Sequence, residues 1–62
     1  QRALRLLTPE QRQVVMLRFV EELPIEETAA ALEKPAGAVK ALQHRALNTL
    51  RRILWKEDEN EE

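Results

Sequence analysis

PAGAVKALQHRALNTLRRILW, residues 35–55, is the stretch on which the fold turns. Pro35 suits a helix start, since its fixed φ is preorganised for a helix and its missing N–H has no intrahelical partner to lose. From Ala36 to Trp55 the pattern is helical. With each residue advancing 100° from Lys40, the side chains of Val39, Leu42, Ala46, Leu47, Leu50, Ile53 and Leu54 fall between about 200° and 340°. Gly37, Lys40, Ala41, His44, Arg45, Asn48, Arg51 and Arg52 fall between about 0° and 140° on the same wheel. The two sets do not overlap, and Gln43, near 300°, is the one polar residue inside the apolar arc. One face is therefore made to pack, while the other presents cations, a histidine and an amide.

Upstream of this helix, Ile25, Thr28, Ala29 and Leu32 recur at i, i+3, i+4 and i+7, one face of a shorter amphipathic helix. Glu26 and Glu27 occupy its first turn, where the helix dipole favours negative charge. It begins just after Pro24 and stops at Glu33-Lys34-Pro35. Earlier still, Thr8-Pro9-Glu10-Gln11 carries a capping residue, a proline for the first position and the Gln of a capping box. That helix is predicted to run through Val14, Val15, Leu17 and Phe19 to Glu21 or Glu22. There Leu23-Pro24 breaks it, because the residue before proline is pushed out of the helical region.

The expected architecture is all-α: a small three- to four-helix bundle containing a helix-turn-helix and no wing. Residues 1–7 are helical in pattern and read as the end of an inter-domain linker or an extension of the first helix. The chain opens without Met, as a piece of a longer protein would. Residues 8–56 form the domain, and the acidic residues 57–62 are expected to be a disordered tail that solubilises the chain or shields its basic helix from non-specific DNA. In the helix-turn-helix, Val39, Ala46 and Leu50 are expected against Ile25, Ala29 and Leu32, with the two alanines permitting close approach.

Composition narrows the chemistry. The 62 residues suffice for one domain and contain no Cys, Ser or Tyr, so serine and cysteine nucleophiles and thiolate metal sites are excluded. His44 is the only histidine and cannot assemble a zinc site alone. No catalytic residue, metal or cofactor is expected, nor any small-molecule substrate. The three threonines have no matching base in any motif. No apolar run approaches the roughly 20 residues of a membrane span, and no secretory leader is visible. The absence of cysteine fits a reducing cytoplasm.

Charge points to a polyanion. The formal net charge is −1, but residues 57–62 hold five acids and no base. The remainder has ten bases against six acids, a net +4, and no acid lies between Lys34 and Lys56. A solvated helix face usually mixes both signs; a one-sign stretch is the footprint of a nucleic-acid partner. In a helix-turn-helix the second helix enters the major groove, so its outer face needs donors and small residues. Lys40 and Arg45 can donate to guanine O6 and N7 or to phosphate, and Asn48 can pair with adenine. Gly37 and Ala38, in the first turn after Pro35, allow backbone to approach a phosphate. The candidate DNA-binding residues are thus Pro35, Gly37, Ala38, Lys40, Ala41, His44, Arg45 and Asn48.

The run from Leu7 to Leu54 resembles the fourth conserved region of bacterial RNA polymerase sigma factors of the extracytoplasmic-function class. The resemblance rests on four landmarks in order. These are the opening L-x-P-x-x-R/Q, the L-x-x-E-E-T/I-A run from Leu23 to Ala29, the P-x-G-x-V-K turn from Pro35 to Lys40, and the R-A-x-x-x-L-R close from Arg45 to Arg51. It implies binding to the minus-35 promoter element and docking on the β-subunit flap of core RNA polymerase in the bacterial cytoplasm, at the nucleoid. Regulation by an anti-sigma factor is also implied. Lys40, Ala41, His44 and Arg45 match the family's reading face. Three departures stand out: Glu33 where the family usually has Gly, Ala41-Leu42 where it commonly has Ser-Arg, and Gln43 where it has an apolar residue.

Two other readings compete. The helix-turn-helix output domain of response regulators also opens on Leu-Thr, but normally lacks the close seen at His44 to Arg51. A helical protein-interaction module is the other, since an amphipathic helix ending in Leu54-Trp55 could fill a partner's groove. Trp55 lies near 60°, outside the apolar stripe. It reads as a helix-end residue or a contact for polymerase or an anti-sigma factor.

Overall fold

A computed structural model describes the backbone of residues 2–60 and the side chains of residues 4–55. Its helices are α1 (Arg2–Arg5), α2 (Pro9–Val15, continued by a π-helical turn, Met16–Val20), α3 (Ile25–Leu32) and α4 (Ala36–Asn60). No strand occurs among the described residues, so the all-α expectation holds.

Local chemistry explains most boundaries. Thr8 caps α2 through the full capping box: Gln11 N–H donates to Thr8 Oγ1 at 3.2 Å, and Thr8 N–H donates to Gln11 Oε1 at 3.4 Å. The predicted end of this helix is corrected in kind. It leaves α geometry after Val15, and Glu21 N–H reaches back five residues to the Met16 carbonyl at 2.9 Å. No residue of Met16–Val20 is buried, so no core side chain holds that turn to the tighter α pitch. Glu22, at φ 61°, then turns the chain into Leu23-Pro24.

At the start of α3 the Pro24 carbonyl accepts both the Thr28 N–H and the Thr28 hydroxyl, each at 2.9 Å. That satisfies the one buried polar side chain among the described residues. Helix α3 ends in a Schellman turn. Glu33 adopts φ 56°, ψ 45°, its N–H donating to the Ala30 carbonyl at 3.2 Å while Lys34 N–H donates to the Ala29 carbonyl at 3.0 Å. Glutamate thus stands in the left-handed position that glycine fills at no steric cost.

Two apolar clusters make the core, and they correct the expected packing. Val39 and Leu42 meet Val14 and Ala29, with Ile25, Leu32 and Ala36 against them. Ala46 instead joins Leu7 and Val15, with Leu4 and Leu50 against that group. Length is the reason. At 1.5 Å per residue the eight residues of α3 span about 12 Å and the 25 of α4 about 37 Å. Helix α3 covers only the leading part of α4, and the next part is covered by α2 and by the Leu4–Leu7 segment. That segment therefore supplies core, whereas the sequence reading kept it outside the domain.

The wheel also needs trimming. Leu47 and Leu54, at the margin of the apolar arc, are 42% and 55% exposed. Helix α4 continues past its expected end at Trp55 to Asn60, so its backbone takes in residues 57–60 of the stretch read as a disordered tail. No Gly or Pro follows Gly37 to stop it. Residues 61 and 62 lie outside the described residues.

Candidate nucleic-acid interface

Burial of Val39, Leu42 and Ala46 fixes how α4 is rolled about its axis, and the roll leaves the opposite face in solvent. Pro35, Gly37, Ala38, Lys40, His44 and Arg45 are exposed, while Ala41 and Asn48 are half-buried. Arg51 and Arg52 extend the exposed cationic surface toward the C-terminal end. Six of the eight candidate residues are thus open to solvent on the α3–α4 turn and α4, and the other two are partly covered.

That turn is firmly built. Ala38 and Val39 N–H groups both donate to the Pro35 carbonyl, at 3.0 and 3.1 Å, closing the first turn of α4. A Cβ added to Gly37 would meet nothing within 4 Å. The fold itself does not demand glycine at that position, which costs roughly 0.5–1 kcal/mol relative to Ala inside a helix.

Sequence reasoning missed two contacts that set this surface. Arg18, on the π-helical turn, donates from Nε to Gln43 Oε1 at 2.9 Å and from Nη1 to the Leu23 carbonyl at 2.6 Å. Its guanidinium carbon also lies 5.7 Å from the centre of the Phe19 ring, within cation–π range. Gln43 is thus the polar intruder in the apolar arc because it receives a guanidinium. The Arg18 fork ties the middle of α4 to the loop before α3.

Nearer the leading end of α4, Lys34 Nζ pairs with Glu10 Oε2 at 2.9 Å. The hydrogen bond and charge of Lys34, with a smaller contribution from the Arg45 charge, hold the Glu10 carboxyl below the ordinary carboxylate range. Gln11, Arg45, Asn48, Thr49, Arg51 and Arg52 line an open concavity where the start of α2 faces α4. No local pattern announces these pairings, since the partners stand 24 and 25 residues apart.

Among the described residues no group of His, Cys, Asp and Glu is arranged to hold a metal ion, and no helix is long and apolar enough to cross a membrane. What the surface can do is donate hydrogen bonds and positive charge to an extended anion.

Comparison with known proteins agrees with this geometry. Residues 3–52 match the family described as sigma-70, region 4. The chain is 52% identical over 56 residues to the RNA polymerase sigma-E factor of Streptomyces antibioticus, which covers 90% of this chain and 31% of that protein. It is 48% identical over 52 residues to the ECF RNA polymerase sigma factor BldN of Streptomyces coelicolor, covering 84% and 20%. Against the ECF RNA polymerase sigma factor SigX of Bacillus subtilis the identity is 46% over 50 residues, covering 81% and 26%. A solved chain from an RsbN–BldN complex aligns with TM-score 0.80 at 46% identity, over 84% of this chain and 38% of that one. The chain thus spans between 20% and 31% of the length of these sigma factors. On fold and sequence together, it belongs to the sigma-70 region 4 family.

Proposed function

We propose that this chain is the promoter-reading module of an ECF-class sigma factor, placing the outer face of α4 in the major groove of the minus-35 element during transcription initiation. The observation that carries the reading is the division of α4 into a buried apolar side (Val39, Leu42, Ala46) and an exposed side holding Lys40, His44, Arg45, Arg51 and Arg52 with no acid. In this reading Lys40, Ala41, His44, Arg45 and Asn48 face base edges. Pro35, Gly37 and Ala38 bring the first turn of α4 to a backbone phosphate, and the bare surface at Gly37 leaves room for that approach. The work is binding rather than catalysis, carried out in the bacterial cytoplasm at the nucleoid and without a cofactor.

Docking on the β flap of core RNA polymerase and capture by an anti-sigma factor belong to the same proposal. Exposed Met16, Phe19 and Val20 on the π-helical turn, with Leu47, Leu54 and Trp55 on α4, supply apolar surface for protein partners. The likeness to a BldN chain solved with RsbN supports a protein partner of this kind. The test is selection of duplexes from a randomised pool, followed by titration of the selected and scrambled DNA. Arg45→Ala is expected to cost about 1–3 kcal/mol on the selected site, with unchanged circular dichroism. Equal binding of selected and scrambled duplexes overturns the reading.

A further inference from the structure

The Glu10–Lys34 pair sits at a place where an acid works against the surface around it. Lys34 lies in the turn that leads into α4, directly before the Pro35–Ala38 segment, and its side chain is 30% exposed. Glu10 comes from the first turn of α2 and is 57% exposed. Its neighbour Gln11 lines an open concavity with Arg45 and Asn48. A carboxylate held on a lysine at the entrance to α4, a helix that carries no acid between Lys40 and Arg52, occupies the position an anionic ligand would take. An ion pair this exposed is weak and exchangeable, because water and salt already compete for it.

We infer that Lys34 forms a seat for one phosphate of the DNA backbone, and that in the free domain the Glu10 carboxylate fills this seat as an internal substitute. The inference rests on the promoter-binding reading and adds to it a phosphate site with a built-in competitor. On binding, Lys34 exchanges the carboxylate for a phosphodiester oxygen; the carboxylate returns to water still ionised, and no proton need move. The substitute lowers affinity for every duplex alike, since a phosphate contact carries no base information. It therefore restrains non-specific binding, while the contacts of α4 keep their discrimination.

The test is a double-mutant cycle on this chain, titrated against its selected duplex and a scrambled one at fixed salt. Glu10→Gln should bind both duplexes roughly two- to five-fold tighter, the scale of releasing one exposed ion pair. Lys34→Gln should weaken both. The decisive variant carries both changes: the gain from Glu10→Gln should disappear once Lys34 is gone. Glu26→Gln, which removes an equal charge from the exposed first turn of α3, should give a smaller gain that Lys34→Gln leaves intact. If the Glu10→Gln gain persists in the Lys34→Gln background, Glu10 acts only through its long-range field and the exchange is overturned. If Glu10→Gln gives no gain while the wild-type chain still prefers its selected duplex, the seat is overturned and the promoter reading stands. A wild-type chain with no duplex preference removes the promoter reading, and the seat with it.

Discussion

Glu33 shows what a single residue does to a boundary. It stands at φ 56° in the left-handed position ending α3, where Cβ crowds the following carbonyl and costs roughly 1–2 kcal/mol. Glycine removes that strain but gives back part of it as unfolded-state entropy. Glu33→Gly is therefore expected to raise stability by about 0.5–1 kcal/mol, which in a domain this small is several degrees in Tm. A thermal melt checks it, and an unchanged or lower Tm contradicts the strain argument. Gln43 is the opposite case, a residue against the local pattern that the tertiary structure uses. Its Oε1 receives Arg18 Nε in a half-buried, charge-assisted hydrogen bond. Gln43→Ala should cost about 1 kcal/mol in denaturant unfolding, as should Arg18→Ala plus whatever the Leu23 carbonyl loses. The double variant should cost clearly less than the two singles added together. Strict additivity would mean that the two side chains are not coupled.

At the scale of elements, packing is divided between two clusters along α4. Leu50 is half-buried beside Leu7, Val15 and Ala46 rather than against α3. Leu50→Ala should fall at the lower end of the usual range for leucine truncation, about 2 kcal/mol. It should also couple to a change at Leu7, and act independently of one at Ile25 in the other cluster. Coupling to Ile25 in a double-mutant cycle would reinstate the packing expected from the sequence. The starts of α2, α3 and α4 were legible because proline and capping signals are local: Thr8 to Gln11, Pro24 and Pro35 act within a turn of the chain. The roll of α4 was legible from its period. What the sequence hid is non-local. A wheel gives the direction of Ala46, Leu47 and Leu50 without saying how far the covering helices reach. It therefore could not tell that Leu4 and Leu7 complete the core or that Leu47 and Leu54 stay exposed. The Arg18–Gln43 and Lys34–Glu10 contacts span separations at which no periodicity applies.

The whole molecule is an electrostatic contradiction in its totals and a consistent object in its layout. Its formal charge is −1 and its isoelectric point about 5.9, values that by themselves argue against a polyanion partner. Yet no acid lies between Lys34 and Lys56, and five of the eleven acids in the chain follow Lys56. Distance and screening decide which description governs binding. With a Debye length near 10 Å at 0.1 M salt, the terminal acids are screened from the leading end of α4, which the helical rise puts roughly 30 Å away. In the proposed reading the DNA is met there by Lys34, Lys40 and Arg45 rather than by the net charge, while Arg51 and Arg52 stand within about 10 Å of Glu57 by helical rise and feel the terminal acids. If the cations and first-turn N–H groups neutralise on the order of 4–6 phosphates, log affinity should fall by about 0.9 per decade of salt for each, a total slope of roughly −4 to −5. Arg45→Ala should reduce that slope by about one if Arg45 meets phosphate, and leave it unchanged while relaxing base preference if Arg45 reads a base. Titrations between low and moderate salt measure both quantities together. A nearly flat slope would mean that apolar contacts, not phosphates, dominate, and would move the functional surface to Phe19, Val20, Leu47 and Leu54.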